Sequence, residues 1–159
     1  MQKKSKTNAA RILDKLGISY ELVEYEVDEE DLSAVHVAET TGMNVDMIFK
    51  TLVSRGDKTG VIFAVIPGAL EVDLKLLATA SSNKRVELVP LKEVLPLTGY
   101  IRGGCSPIGA KKNYPVFIDS RALSQEKISI SAGKRGEQIL IAPNDLIKAT
   151  SAVVAEIAR

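Results

Sequence analysis

The chain's one cysteine, Cys105, stands in GGCSPIG (residues 103–109), a loop built from glycines, a serine and a proline. A thiol in such a loop invites reading as a nucleophile. A catalytic cysteine, however, needs a base that makes thiolate, commonly a histidine oriented by a third group. His36 is the only histidine, it follows an acidic run, and nothing in the sequence brings it to residue 105. A lone histidine on a short helix reads as a surface or packed residue. Cys105 reads better as a small side chain filling space beneath the loop.

The glycines around it offer different chemistry. Gly103, Gly104 and Gly109 let main-chain N–H groups approach a ligand closely, as in a nest for phosphate or for the oxyanion of acyl transfer. A tight turn between two strands would use the same residues. Lys50 lies in IFKTLV, where alternation places it on one face with Leu52, and Phe49 with Thr51 on the other. A lysine among such neighbours faces either solvent or a polar pocket. GKRG (133–136) has part of a phosphate-loop pattern, but it lacks the remaining glycine and hydroxyl. It also sits between strands rather than before a helix, which excludes a nucleoside-triphosphatase loop. No cluster of His, Cys and carboxylates has ligand spacing, so the expected chemistry uses no metal and no cofactor.

These residues must be held by elements that the sequence marks clearly. Residues 7–16 have helical spacing, with Thr7 as cap and Gly17 past the end. Residues 18–27 read as a strand whose alternation slips at Val23, which suggests a bulge. Ser33 caps a short helix through Thr41, closed by Gly42, and Asn44 starts another turn. Residues 48–67 form a hairpin whose second run, VIFAVI, is apolar on both faces and belongs at a sheet centre. Residues 71–81 form a helix with acids in its first turn, 85–89 a strand, and 91–99 a helix ended by Pro96 and Gly99. PVFIDS, KISIS and QILIA are three further strands. A last helix from Pro143 or Asn144 carries Leu146, Ile147, Val153, Val154 and Ile157. This order predicts an α+β fold, with a curled, barrel-like mixed sheet and flanking helices.

The 159 residues fit one domain spanning 1–159, and 45% hydrophobic with 26% charged residues suits a soluble protein. One cysteine excludes an internal disulfide and suits a reducing cytoplasm. The basic start, MQKKSKTNAARIL, is followed by no apolar run of signal-peptide length, and no stretch is long enough to span a bilayer. A net charge of +1 argues against a protein that coats nucleic acid generally. The charges are nevertheless segregated. Acids concentrate between Asp14 and Asp46, whereas Val94 to Ile118 has none and carries Arg102, Lys111 and Lys112. With Lys134 and Arg135 these form either a solvated basic surface or the rim of a site for an anionic ligand.

Three segments together carry a resemblance: FKTLV around Lys50, GYIRGGCSPIG followed by two lysines, and SISAGKRG (129–136). The chain resembles, over essentially its whole length, the YbaK/EbsC family of trans-acting editing proteins. These are Cys-tRNA(Pro) deacylases related to the editing domain inserted in bacterial prolyl-tRNA synthetases. The family loop reads Gly-Gly-x-Ser-Pro-x-Gly, with Cys105 at a variable position. The resemblance implies that the substrate's own thiol attacks its ester, so that the enzyme positions and stabilises. It makes Lys50 and Gly103 catalytic, with Tyr25, Thr51, Gly104 and Ser131 around the substrate. Arg102, Lys111, Lys112, Lys134 and Arg135 would meet the acceptor end of a mischarged tRNA, delivered with prolyl-tRNA synthetase as partner. Ala132 and Gln138 depart from the family pattern, where a glycine and an acid are usual. Deacylation of alanyl- or seryl-tRNA, and non-catalytic binding of aminoacyl ends or nucleotides in regulation, are the alternatives.

Overall fold

The computed structural model describes residues 6–159, so Lys3 and Lys4 of the basic start lie outside the described residues. The first helix, α1 (Asn8–Lys15), is capped by Thr7, whose side chain accepts from Ala10 N–H, and buries Ala9, Ala10 and Leu13. After β1 (Glu21–Glu24) comes α2 (Ala34–Thr41), capped by the Ser33 hydroxyl and closed by Gly42 at φ +76°. A 3₁₀ turn over Val45–Met47, capped by Asn44, leads into the central hairpin. Its strands are β2 (Phe49–Gly56) and β3 (Gly60–Pro67), antiparallel from Phe49↔Pro67 to Gly56↔Gly60.

Beyond the hairpin lie α3 (Leu74–Ala80), β4 (Val86–Leu88), α4 (Leu91–Thr98) and β5 (Val116–Asp119). β6 (Ile128–Ser131), β7 (Glu137–Ile141), α5 (Pro143–Thr150) and β8 (Val153–Ala155) complete the chain. The strands form two sheets, one ordered β4-β2-β3-β5-β8 and the other β1-β7-β6. In the larger sheet β3–β5 and β5–β8 are parallel and the other pairs antiparallel, which bears out a mixed sheet with β3 at its centre. The single sheet expected from the sequence is instead two, joined by one parallel bridge, Ile48↔Ser129. One core packs between them around Phe63, Val65, Ile118, Ile130 and Ile139, and a second, around Ile62, Ile66, Leu77 and Ile157, lies under α3.

Four expectations need correction. The first strand is only four residues long, and its apparent slip is the strand's end rather than a bulge; Tyr25 N–H still reaches Gly136 O at 2.9 Å. α3 has no acid in its first turn, because Asp73 is the cap and Glu71 precedes it, exchanging two main-chain hydrogen bonds with Arg159. Pro96 sits inside α4, and Gly99 alone ends it at φ +83°. The last helix stops at Thr150, where Ser151 turns left-handed and residues 153–155 join β5 as a strand.

The buried Asp119 fastens this C-terminal segment. Its carboxylate accepts N–H bonds from Ile157 and Ala158 at 2.9 Å each, and from the Arg121 guanidinium at 3.1 Å. Burial opposes the charge, but these donors outweigh it and hold the carboxyl below its usual range. Among the described residues no helix is long and apolar enough to cross a membrane.

Candidate active site

A cavity of about 620 Å³ opens where the two sheets part. Its floor is Ile48 and the adjoining part of β2 up to Val53. One wall is the turn from β4 into α4, with Leu88, Val89, Leu91 and Val94. The opposite wall is the glycine loop, through Arg102, Gly103 and Cys105, together with Ser131 and Gln138 of the smaller sheet. Tyr25 and residues 30–34 at the start of α2 close the third side.

The glycine loop is seated on the β6–β7 turn, and the glycines explain how. A Cβ on Gly104 would lie 3.1 Å from Lys134 Cα and 3.3 Å from Arg135 N, so a side chain there would require the two main chains to shift by a few tenths of an ångström. Gly103 has φ +82°, a left-handed conformation that other residues resist. Arg135 Nε donates to Arg102 O at 2.8 Å and ties the loops together. Beneath them the buried Tyr100 hydroxyl donates to Ile108 O at 2.6 Å, and burial pushes its ionisation up to about 12. The glycine loop is thus held by hydrogen bonds on both sides.

The sequence-predicted residues separate into three groups. Lys50, Thr51, Tyr25, Gly103, Ser131 and Arg102 all line the one cavity. Gly104 is buried under the loop rather than on the cavity wall, and its N–H is taken by Ile101 O at 2.9 Å. Its role here is loop packing. Of the basic residues, Lys134 pairs with the buried carboxylate of Glu137 at 3.3 Å, and Lys111 Nζ donates to Pro96 O at 3.3 Å. These two, with Arg135, fasten the structure, while Lys112 is exposed. His36 contacts Glu26 O at 3.3 Å and does not line the cavity.

Lys50 is half-buried, with its Cα opposite Ile66 in β3. Burial pushes its ammonium below the usual lysine range, and the Glu71 carboxylate opposes that shift. Cys105 moves the other way. Burial pushes its thiol up to about 12, against a hydrogen bond with Thr98 that lowers it, so thiolate is negligible at neutral pH. Among the described residues no group of three or more His, Cys, Asp or Glu is placed to hold a metal ion.

Of the two positions that depart from the family pattern, Ala132 is fully buried in the core, whereas Gln138 reaches the cavity. The Gln138 amide oxygen accepts from the Ser129 hydroxyl at 2.8 Å, leaving a neutral polar wall. Sequence reasoning missed the wall formed by Glu30, Asp31 and Leu32. Its signal was the acidic run itself, which faces a cavity whose other side carries Arg102.

Residues 28–149 match the model of the aminoacyl-tRNA editing domain. The chain belongs to that family. It is 49% identical over 152 residues, 96% of its length and 93% of the relative's, to an Enterococcus faecalis protein named "Putative Cys-tRNA(Pro)/Cys-tRNA(Cys) deacylase EbsC". It is 31% identical over 126 residues, 77% of its length and 80% of the relative's, to Bacillus subtilis YwhH, described as uncharacterized. Two crystal structures share the fold. Hypothetical protein APE2540 superposes with a TM-score of 0.87 at 26% identity, covering 96% of this chain and 99% of that one. A "putative trans-editing enzyme for prolyl tRNA synthetase" superposes at 0.84 and 24% identity, covering 98% and 99%. The activity class of the family is aminoacyl-tRNA editing.

Two substitutions test this site. Cys105→Ala keeps most of the deacylation rate, because a thiol this hard to ionise is no nucleophile. A hundredfold loss in a protein with unchanged circular dichroism would contradict that. Lys50→Ala is expected to abolish deacylation while changing stability by only about 0.5 kcal/mol, as for a side chain outside the packed core. Chemical denaturation beside a single-turnover assay separates the two, and a large stability loss with retained activity would make the lysine structural.

Proposed function

We propose that this protein removes cysteine from mischarged Cys-tRNA(Pro), using the thiol of the substrate as nucleophile. The observation that carries the reading is a cavity that combines a glycine loop and Lys50 with a thiol too hard to ionise. Such a cavity orients and stabilises, and the attacking atom comes from the ligand. The substrate sulfur attacks its own ester carbonyl, and the bond to the tRNA 3′ oxygen breaks. That oxygen takes the proton given up by the thiol. The cysteine leaves as a cyclic thioester, which water then opens.

Holding thiol and carbonyl in attack geometry supplies about 7–11 kcal/mol of the barrier. Each main-chain donor at the developing oxyanion adds roughly 2.7–4 kcal/mol. Lys50 contacts the ester or the terminal adenosine, and Gly103 stabilises the oxyanion. Tyr25, Thr51, Ser131 and Gln138 bound the amino acid. Arg102, across the cavity from Glu30 and Asp31, and the exposed Lys112 meet the acceptor phosphates. With a net charge of +1, affinity for free tRNA is weak and salt-dependent. Prolyl-tRNA synthetase, as partner, selects the tRNA.

A panel of tRNA(Pro) charged with cysteine, serine or alanine, at single turnover, tests the substrate. A small pocket separates side chains this similar by only about 10–200-fold through binding. Cysteine is expected to exceed serine by more than that. Equal rates for cysteine and serine, or a preference for alanine, would assign the protein to another mischarged amino acid.

A further inference from the structure

In an antiparallel ladder alternate residues send both N–H and C=O to the same side. On β2 the odd-numbered residues turn toward β4: Val89 N–H donates to Val53 O, and Asp57 N–H to Arg85 O, each at 3.0 Å. The even-numbered residues turn toward β3, and Ile48 O accepts from Gly68 N–H at 2.7 Å. Thr51 therefore directs its main-chain N–H and C=O to the β4 side. Continuing the register from Ser54↔Leu88 would place residue 91 opposite it. Leu91 is elsewhere, because the chain turns at Pro90 into α4. On the same edge the bridge between β6 and the β2 segment is Ile48↔Ser129. Thr51 lies between these two neighbours at a rung that neither ladder covers, and it lines the cavity. Its side-chain Oγ1 is also buried without a hydrogen-bond partner.

Main-chain groups at a partly buried edge that no ladder covers are open to a further strand-like partner. We propose that the aminoacyl group itself fills this rung, held by the main chain of Thr51. An aminoacyl ester carries on one residue a donor, its α-ammonium, and an acceptor, its ester carbonyl. A strand residue in a hydrogen-bonded pair presents the same two groups. The ammonium donates to Thr51 C=O, and the carbonyl accepts from Thr51 N–H. That N–H then faces the oxygen on which charge develops. Across such a pair the side chains share a face. The amino acid side chain therefore lies on the Thr51 face, with Phe49, Val53 and the first core, against which Cys105 also packs. Its size is read there. This assignment rests on the editing reading above.

The test replaces the N–H alone. A suppressor tRNA charged with 2-hydroxy-3-methylbutanoic acid puts an ester oxygen in place of the residue 51 N–H, and Thr51→Val with its normal amide is the reference. Lactic acid at Ala64, which pairs with Leu52 inside the β2–β3 ladder, controls for a weakened sheet. The ester at 51 is expected to lower single-turnover cleavage of mischarged tRNA by about 10²–10³-fold against Thr51→Val. The ester at 64 lowers the melting temperature and keeps the rate. Equal rates for ester and amide at 51 overturn the proposal.

A second readout is amide hydrogen exchange at Thr51 with an amide-linked cysteinyl-adenosine analogue. Exchange slows on binding if the rung is filled. Binding of the analogue without slower exchange at Thr51 overturns this proposal and leaves the editing reading intact. No binding and no cleavage of any mischarged tRNA overturns both.

Discussion

The architecture depends on an interruption in hydrogen bonding along one strand. β2 is paired throughout with β3, but on its other edge β4 covers only its second half and β6 touches only its start. The first break comes at Pro90, the cap of α4, where the chain leaves the sheet. The two sheets diverge from the bridge at Ile48, and the cavity is the space that this divergence opens. Everything placed in it is placed relative to that strand. Lys50 and Thr51 come from β2 itself, while Gly103, Ser131 and Gln138 come from the opposite side.

A gap of this kind collapses unless its walls are held from outside. The glycine loop is held by the β6–β7 turn, through the Arg135–Arg102 bond and the close approach that Gly104 permits. The turn is held in part by Lys134 on the buried Glu137. Residues that looked like a phosphate-binding rim are thus partly structural, which leaves Arg102 and Lys112 as the cations proposed to meet an anionic ligand. The other face of the sheet is closed independently. Asp119 gathers the C-terminal N–H groups there, and the Glu71–Arg159 exchange seals the end.

Much of this was legible in the sequence because local rules and tertiary context agreed. Thr7, Ser33 and Asn44 act as the caps their types predict, and the hairpin at 48–67 follows from β-branched runs around a polar turn. Alternation alone put Lys50 and Thr51 on opposite faces. Context overrode the pattern at the C-terminus, where the same apolar residues that suit a helix pair with β5 once Ser151 turns left-handed. The split into two sheets was invisible, since no residue type encodes which strands fail to pair. For the same reason Glu30 and Asp31 were read as part of an acidic run and Ser33 as a helix cap, not as a wall of the cavity. The motifs named the site's polar residues, and the pairing gap that brings them together required the structure.

The central claim is that the protein supplies geometry and the substrate supplies the nucleophile. The most direct measurement uses tRNA(Pro) carrying S-methylcysteine beside the unmodified cysteinyl form, at single turnover, with mass spectrometry of the first released product. The account predicts a cyclic thioester from the cysteinyl substrate before free cysteine appears. It also predicts that the S-methyl substrate disappears no faster than in buffer. Cleavage of the S-methyl ester at a rate near that of the free thiol, with the open amino acid as first product, would contradict it. Water would then be the attacking group, with Lys50 as its base.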